Sequence, residues 1–326
     1  MPCMSVEKFS EGSVFSKHSN AKGTKSGMSS HLLIPVDFSD RSMLAVAAGF
    51  HFASILDITP VLMHVYPEFS YAVPMQQTIS GLYDLSEVEL TQAIEEQDIQ
   101  KVAEKQFAAF RRKIRQAQQE GRIADVNFTS TLQEGIPEEV ILEYCRDNAP
   151  RLVVMSTRGI SKKAEELIGS VTAEVLDSCR VPVFTVPEKY DMNRDFTLHR
   201  ILMFCGLDSY DIDGLEKMMS TFKLKDVEVW LMPIENKEGK VRQRLSDLHV
   251  KLSQAWPDVT FHVSDLRESS IGTWIDKYIH ENNIQLVIAP NRKTSIFTRL
   301  FRPTLAHQCL FSVDTPMLAL PVSKTL

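Results

Sequence analysis

Two glycines and a serine in one stretch of the chain are the residues best placed to bind a ligand. Gly159 follows a short apolar run that ends near Ser156, and nine residues separate it from Gly169, where Ser170 begins an apolar helical pattern. The first turn of a helix has unpaired N–H groups and a positive dipole end, which favour phosphate. Glycine leaves room for phosphate oxygens near the backbone, and serine adds a hydroxyl donor. The spacing alone leaves open whether this segment binds phosphate or is an ordinary loop.

A second group of polar residues follows the first predicted strand, 31–37. Asp37 can accept hydrogen bonds from ribose hydroxyls or help to hold a divalent ion. In the alternative interpretation, Asp37 and Ser39 only cap the following helix. Both groups come directly after apolar strands, so a parallel sheet would bring them to the same edge, where ligands bind in α/β folds.

Apolar runs alternate with amphipathic segments along the first half of the chain, which predicts crossover units and a parallel sheet. An apolar stripe on one segment (Ile99, Ala103, Phe107, Phe110 and Ile114) predicts a long helix whose stripe faces the core, with a partner-binding face as the alternative. The other predicted helices are 40–56, 137–147 and 164–179, and the strands are 31–37, 60–65, 125–132, 152–155 and 182–186.

The second half repeats this order, which indicates an internal duplication. Its predicted strands are 200–205, 226–232, 259–263, 285–289 and 316–320, and its helices are 211–222, 240–255, 271–282 and 304–311. The ends of the two halves align at a constant offset of 134 residues, so that Ser156 corresponds to Pro290 and Gly169 to Pro303. We therefore expect a disordered leader (1–30), a first domain (31–188), a linker (189–199) and a second domain (200–326).

Three stretches of the first half resemble the universal stress protein family: VDFSD, LQEGIPEEVILEYCRD and MSTRGISKKAEELIGSVTAEVLDSCRVPVFTV. The resemblance covers nearly all of 31–188. The family's phosphate loop (Gly, two residues, Gly, nine residues, Gly, then Ser or Thr) recurs here with serine in the first position. The resemblance implies two tandem doubly wound α/β domains of the adenine nucleotide alpha hydrolase-like type, each with a five-stranded parallel sheet. It also implies a stress-response regulatory or interaction protein that binds ATP, with or without Mg.

By resemblance, Asp37 falls on the ribose- or metal-side acid, and His64 and Val65 on the strand end beside adenine. The complete binding set implied in this way is Pro35, Val36, Asp37, His64, Val65, Met155, Ser156, Arg158, Gly159, Gly169, Ser170 and Val171. One position departs from the family, because Ser156 replaces its first glycine. If that position requires positive φ, serine is strained there. If it requires only a small side chain, serine is tolerated and can donate to phosphate.

The second half resembles the family only faintly, and its loop has lost both inner glycines. Lys293 and Pro303 stand in their places, and Gly206 stands where Asp37 would be. Because proline lacks an N–H, one phosphate donor is missing. We therefore predict one ATP per chain, bound by the first half. The basic residues of the second loop (Arg292, Lys293, Arg299 and Arg302) form either a solvated loop or a separate anion site.

Composition excludes several other functions. A net charge of −6 argues against nucleic acid as the main partner. The sequence has no apolar run of the roughly 18–20 residues that span a bilayer. Five scattered cysteines without a CxxC pair favour reduced thiols and a cytoplasmic protein. The nine histidines lack metal-ligand spacing, so no metal site is expected.

Three functions remain open on the sequence. The first is an ATP-binding regulatory protein with at most slow hydrolysis, since no catalytic residue is evident. The second is an interaction module in which both pockets are vestigial and a surface binds a protein partner. The third, an enzyme of adenylate chemistry, lacks identifiable catalytic groups. We expect the two domains to form an intrachain pseudo-dimer, with homodimerisation left open.

Overall fold

The computed structural model of the chain describes residues 30–67, 99–157, 169–188, 190, 198–205, 216, 218–219, 225–233, 240–264, 271–291 and 315–321. Outside these ranges lie the predicted leader except for Ser30, helix 304–311, most of helix 211–222 and of the linker, the basic loop 292–302, and Arg158 and Gly159.

The described elements alternate as predicted for an α/β protein. In chain order they are β1 (His31–Pro35), α1 (Asp40–Leu56), β2 (Thr59–Tyr66), α2 (Ile99–Gln119), β3 (Thr129–Glu134), α3 (Pro137–Asn148), β4 (Val153–Ser156), α4 (Ser170–Ser178), β5 (Val183–Val186), β6 (Arg200–Cys205), β7 (Val227–Pro233), α5 (Lys240–Ala255), β8 (Val259–Val263), α6 (Ile271–Glu281), β9 (Leu286–Asn291) and β10 (Met317–Pro321).

The described strands form one ten-stranded sheet in the order β3-β2-β1-β4-β5-β10-β9-β6-β7-β8. Within each half the neighbouring strands are parallel. The two halves meet through β5 and β10, which pair antiparallel with Leu318 opposite Phe184. Read outward from this junction, each half has the same strand order, as a two-fold rotation would produce.

Strand register gives the two halves matching positions. Met155 pairs with Thr185 in the first half, and Ala289 pairs with Ala319 in the second, so both members of the pair are displaced by 134 residues. The first two strands of each half match at an offset of 169 residues. His31 pairs with Thr59, and the residues 169 positions later, Arg200 and Glu228, also pair. In the second half, Phe204 therefore occupies the position of Pro35, and Cys205 that of Val36.

Two hydrophobic clusters cover the two faces of the sheet. One contains α1, α2 and side chains such as Ile34 and Leu62, and the other contains α3, α4 and side chains such as Leu33 and Met63. Adjacent strand residues face opposite sides, which explains the separation of Leu33 from Ile34. All five residues of the predicted α2 stripe are buried, so the core-facing prediction is confirmed.

The third strand was predicted too early, at 125–132. It begins at Thr129, whose partner on β2 is Val61. The cause is the buried side chain of Gln118, whose Nε2 donates to the carbonyls of Ala124 (3.2 Å) and Val126 (2.8 Å). These side-chain contacts hold the backbone of Ala124 and Val126 against α2, so the strand begins only after them. Among the described residues, no helix has both the length and the apolar character needed to cross a membrane.

Candidate functional site

The carboxyl ends of β1, β2 and β4 meet at one edge of the sheet, because β1 lies between β2 and β4 and runs parallel to both. Backbone hydrogen bonds extend the order past the strand ends. Val36 N donates to Met63 O (2.8 Å), and Thr157 N donates to Val186 O (2.9 Å). Crevices outside such strand ends are the usual ligand sites of open α/β sheets.

Asp37 organises the turn that leads from β1 into α1. Its Oδ1 accepts hydrogen bonds from the hydroxyls of Ser39 (2.6 Å) and Ser42 (2.5 Å) and from Ser39 N (3.2 Å). Ser39 is the N-cap of α1, and its Oγ accepts from Ser42 N (3.1 Å). The predicted capping role is therefore present in the structure. Ser42 was missed on the sequence, although its three-residue spacing from Ser39 is that of a cap and its N3 partner.

His64 holds the backbone at the start of this turn through a hydrogen bond to Val36 O. Its side chain is 2% exposed, and its Nδ1 lies 2.8 Å from Val36 O, so Nδ1–H is the donor. Burial lowers the pKa of His64 to about 4, against smaller opposing effects of the Val36 carbonyl and the Asp37 charge. The ring is therefore neutral near pH 7. A side chain this buried has little surface for a ligand, so its role is to position Val36 and Asp37.

Phe38 covers His64 from the loop side. Their ring centroids are 4.0 Å apart, and Phe38 also contacts Phe107 and Phe110 of α2 at 5.5 and 5.6 Å. Phe38 has a φ of 66°, which a bulky L-residue adopts only at a cost of about 1–2 kcal/mol. Aromatic packing and the Asp37 hydrogen bonds hold it there. No sequence pattern indicated this conformation.

The start of α4 is tied to the end of β4 by two hydrogen bonds. Gly169 N donates to Thr157 O (2.9 Å), and Thr172 Oγ1 donates to Ser156 O (3.1 Å). Gly169 is the N-cap and makes no side-chain capping bond. The N–H groups of the first helical turn, which have no partner within the helix, therefore start beside the strand edge without a capping side chain of Gly169 over them.

The first half of the chain has clear relatives by sequence. Residues 28–187 match the sequence profile of the Universal stress protein family. A universal stress protein of Methanocaldococcus jannaschii is 26% identical over 160 residues, which make up 48% of this chain and 94% of that protein. Residues 28–187 belong to the universal stress protein family.

Solved structures extend the likeness of fold to about nine-tenths of the chain. A universal stress protein from Archaeoglobus fulgidus covers 92% of this chain and 98% of its own length, with a TM-score of 0.58 and 16% identity. A functionally unknown protein from Pseudomonas aeruginosa covers 90% of this chain and 93% of its own, with a TM-score of 0.52 and 10% identity. At these identities the likeness concerns the fold alone.

The universal stress protein domain brings most of the predicted binding residues to one edge. Pro35, Asp37 and Ser156 are half-buried at or beyond strand ends, and Gly169, Ser170 and Val171 form the beginning of α4. Val36, Val65 and Met155 are buried, so in this structure they contribute mainly through their backbone and through packing. Arg158 and Gly159 lie outside the described residues.

One interpretation of Ser156 is wrong. The non-glycine residues with positive φ in the described chain are Phe38, Asp57, Ala149, Asp226 and Asn283. Ser156 is instead the last residue of β4 and pairs with Val186 of β5. Its backbone is therefore unstrained, and only the requirement for a small side chain remains. Within the described residues, no three His, Cys, Asp or Glu side chains come together as metal ligands.

Proposed function

We propose that this chain is a universal stress protein that binds ATP at the strand edge of its first half and acts as a regulatory protein in a stress response. The observation that carries the proposal is the position of the α4 N-terminus. Its glycine cap is tied to the end of β4, so the N–H groups of the first helical turn, which have no partner within the helix, begin at the edge where β1 and β2 end. Phosphate is the ligand that such a helix start favours.

Asp37 would face the ribose from the end of β1. Its Oδ1 is already hydrogen-bonded to two serine hydroxyls, which fixes the direction of the carboxylate before a ligand arrives. Pre-organisation of this kind reduces the entropy that binding must overcome. A Mg²⁺ ion would then arrive with the phosphates and take its ligands mainly from them, as Mg²⁺ commonly does with nucleotides.

We expect at most slow hydrolysis of ATP at this site. Among the described residues at this edge, the histidine is His64. Its ring is buried and neutral, and it donates its Nδ1–H to Val36 O. It is therefore unsuited to activating a water molecule. Binding and release of nucleotide, rather than turnover, would provide the signal.

The second candidate is an interaction module that binds no nucleotide. It is favoured by the capping role of Asp37, since the carboxylate already has a structural purpose without a ligand. Native mass spectrometry of the gently purified full chain separates the two candidates. We expect a species that carries one adenine nucleotide and loses it on denaturation. A chain that carries none and shows no binding at millimolar ATP would contradict the proposal and favour the interaction module.

A further inference from the structure

Three arginines form an exposed basic groove on α2, away from the strand edge. The groove has a volume of about 390 Å³ and is lined by Ala108, Arg111, Arg112, Arg115, Gln116 and Gln119. All three guanidinium groups lie on exposed residues of one helix. Arg111 and Arg115 are four residues apart and Arg112 and Arg115 three, so their charges repel across adjacent turns.

Two of these side chains are held in place rather than freely solvated. The Arg115 guanidinium lies 4.4 Å from the ring centroid of Phe128, and its Nη1 donates to Gln118 Oε1 (3.1 Å). Gln118 is itself buried and bonded to two backbone carbonyls. Arg111 lies 5.6 Å from the Phe107 centroid and donates to Ser130 Oγ (3.0 Å). Cation–π contacts and fixed acceptors therefore orient both guanidinium groups.

Among the described residues, no carboxylate lines the groove. Within the described part of the chain, none of the three arginines makes an ion pair, whereas Lys113 pairs with Asp40 and Arg122 with Glu120. The chain as a whole carries a net charge of −6, so this local excess of positive charge runs against the overall balance. Oriented, unpaired guanidinium groups are suited to carboxylate or phosphate, which they can bind through two parallel hydrogen bonds.

The length of the groove selects between these two anions. Arg111 and Arg115 are about 6 Å apart along the helix axis, a span that matches two or three neighbouring carboxylates. Nucleic acid and long polyphosphate depend on many successive basic contacts, and this face of the helix offers three arginines. A short acidic segment needs no more than these three contacts.

We propose that the groove formed by Arg111, Arg112 and Arg115 is a docking site for a short Asp/Glu-rich segment of a partner protein. The site is independent of the nucleotide edge and does not require ATP to be bound there. The amides of Gln116 and Gln119 supply further hydrogen-bonding groups along the same face.

The test measures fluorescence anisotropy of a labelled hexaglutamate peptide with the full chain. We expect saturable binding that weakens with added salt, and no binding of a labelled serine–glycine hexapeptide. Arg112→Gln should weaken binding at least threefold. Arg112 makes no hydrogen bond or ion pair in the described part of the chain, so this variant should keep the parent fold. Arg112→Gln/Arg115→Gln should weaken binding at least tenfold, and the matched control Lys105→Gln, an exposed charge on the same helix outside the groove, less than twofold.

Three outcomes would overturn the proposal. One is the absence of hexaglutamate binding by the parent chain. A second is equal weakening by Lys105→Gln and Arg112→Gln, which would mean a general charge effect of α2. The third is displacement of the peptide by inorganic tripolyphosphate at much lower concentration than by unlabelled peptide, which would assign the groove to a phosphate ligand instead.

Discussion

The two halves of the sheet have the same strand order but different chemistry at their carboxyl edge. In the first half, the backbone of Val36 is bonded to Met63 O and to the ring of His64. At the matching place in the second half, Cys205 Sγ donates to Met232 O at 3.5 Å, and Pro233 occupies the position of His64. The next residue is Asp37 in one half and Gly206 in the other.

This difference separates what the fold needs from what a ligand needs. Both halves keep the buried strands and their register, and in the second half the buried thiol of Cys205 lies at the strand end. In the first half, the histidine, the aspartate and the serine cap add hydrogen bonds beyond those of the strands. Such an arrangement is expected where a polar edge is kept for a ligand, and the following changes test that interpretation.

The largest effect is expected from Gly169→Val. The added side chain would cover the N–H groups of the first turn of α4, and losing two charge-assisted hydrogen bonds costs about 3 kcal/mol or more, roughly 100-fold in affinity. Because Gly169 has φ −65° and ψ 147°, valine can adopt its backbone conformation. Titration with a fluorescent ATP analogue measures the loss. Ser178→Val at the other end of α4 is the control, and equal affinity in both variants would place the site elsewhere.

Acid should destabilise the chain through His64. The pKa of His64 is about 4 in the folded chain and 6.5 when unfolded, so the unfolded state binds more protons between these values. The stabilisation is complete above pH 6.5 and is lost as the pH falls toward 4. We expect a loss of about 2 kcal/mol between pH 7 and pH 5 from this group.

Urea unfolding of the parent and of His64→Gln at both pH values measures that loss. The variant should lose this contribution, while His31, whose pKa is also lowered by burial, still acts in the same direction. The second half carries Pro233 at this position and contributes no equivalent titration. Parallel pH profiles for the parent and the variant would mean that His64 is not neutral and buried as described.

Removing the aspartate should have an intermediate effect. Asp37→Ala leaves the hydroxyls of Ser39 and Ser42 without their acceptor and weakens the cap of α1, which lowers the free energy of unfolding by about 1–2 kcal/mol. Thermal unfolding without nucleotide measures this loss. Asp147→Ala, an exposed aspartate near the end of α3, should change stability by less than about 0.5 kcal/mol. Similar losses of unfolding free energy in the two variants would show that the Asp37 turn makes no special contribution to stability.

The smallest effect is expected from Ser156→Gly. Because Ser156 has no positive φ, restoring the family's glycine relieves no strain. Nucleotide affinity should stay within about threefold of the parent, and glycine in a strand should lower stability by about 0.5–1 kcal/mol. Calorimetric titration of the variant checks the first value. A tenfold gain in affinity would revive the strain interpretation.

The repeated fold was accessible from the sequence because apolar periodicity marks buried strands and helices directly. Residues 200–205, 240–255 and 259–263 were predicted with the bounds that the structure has. The start of β3 was not accessible, since it depends on the side chain of Gln118 reaching two carbonyls. The antiparallel contact of β5 with β10 also joins residues more than a hundred positions apart, which no local pattern encodes.

Only part of the candidate site could be predicted from the sequence, again because local patterns do not encode contacts between distant residues. Local spacing identified Asp37, Ser39 and Gly169, because capping and helix starts are short-range features. The positive φ of Phe38 and the burial of His64 arise from packing between β2, α1 and α2 and could not be read from neighbouring residues. The basic groove was not predicted, because the apolar stripe of α2 carries no information about the arginines on its exposed face.

The central claim is that the two halves share a fold while only the first binds nucleotide, and the stoichiometry of ATP binding tests it most directly. The full chain is required, because β5 and β10 pair across the two halves. Isothermal titration calorimetry of the parent should give one ATP per chain, and Gly169→Val should remove that one site and leave none. Two ATP molecules per chain, or a site that survives Gly169→Val unchanged, would contradict the account.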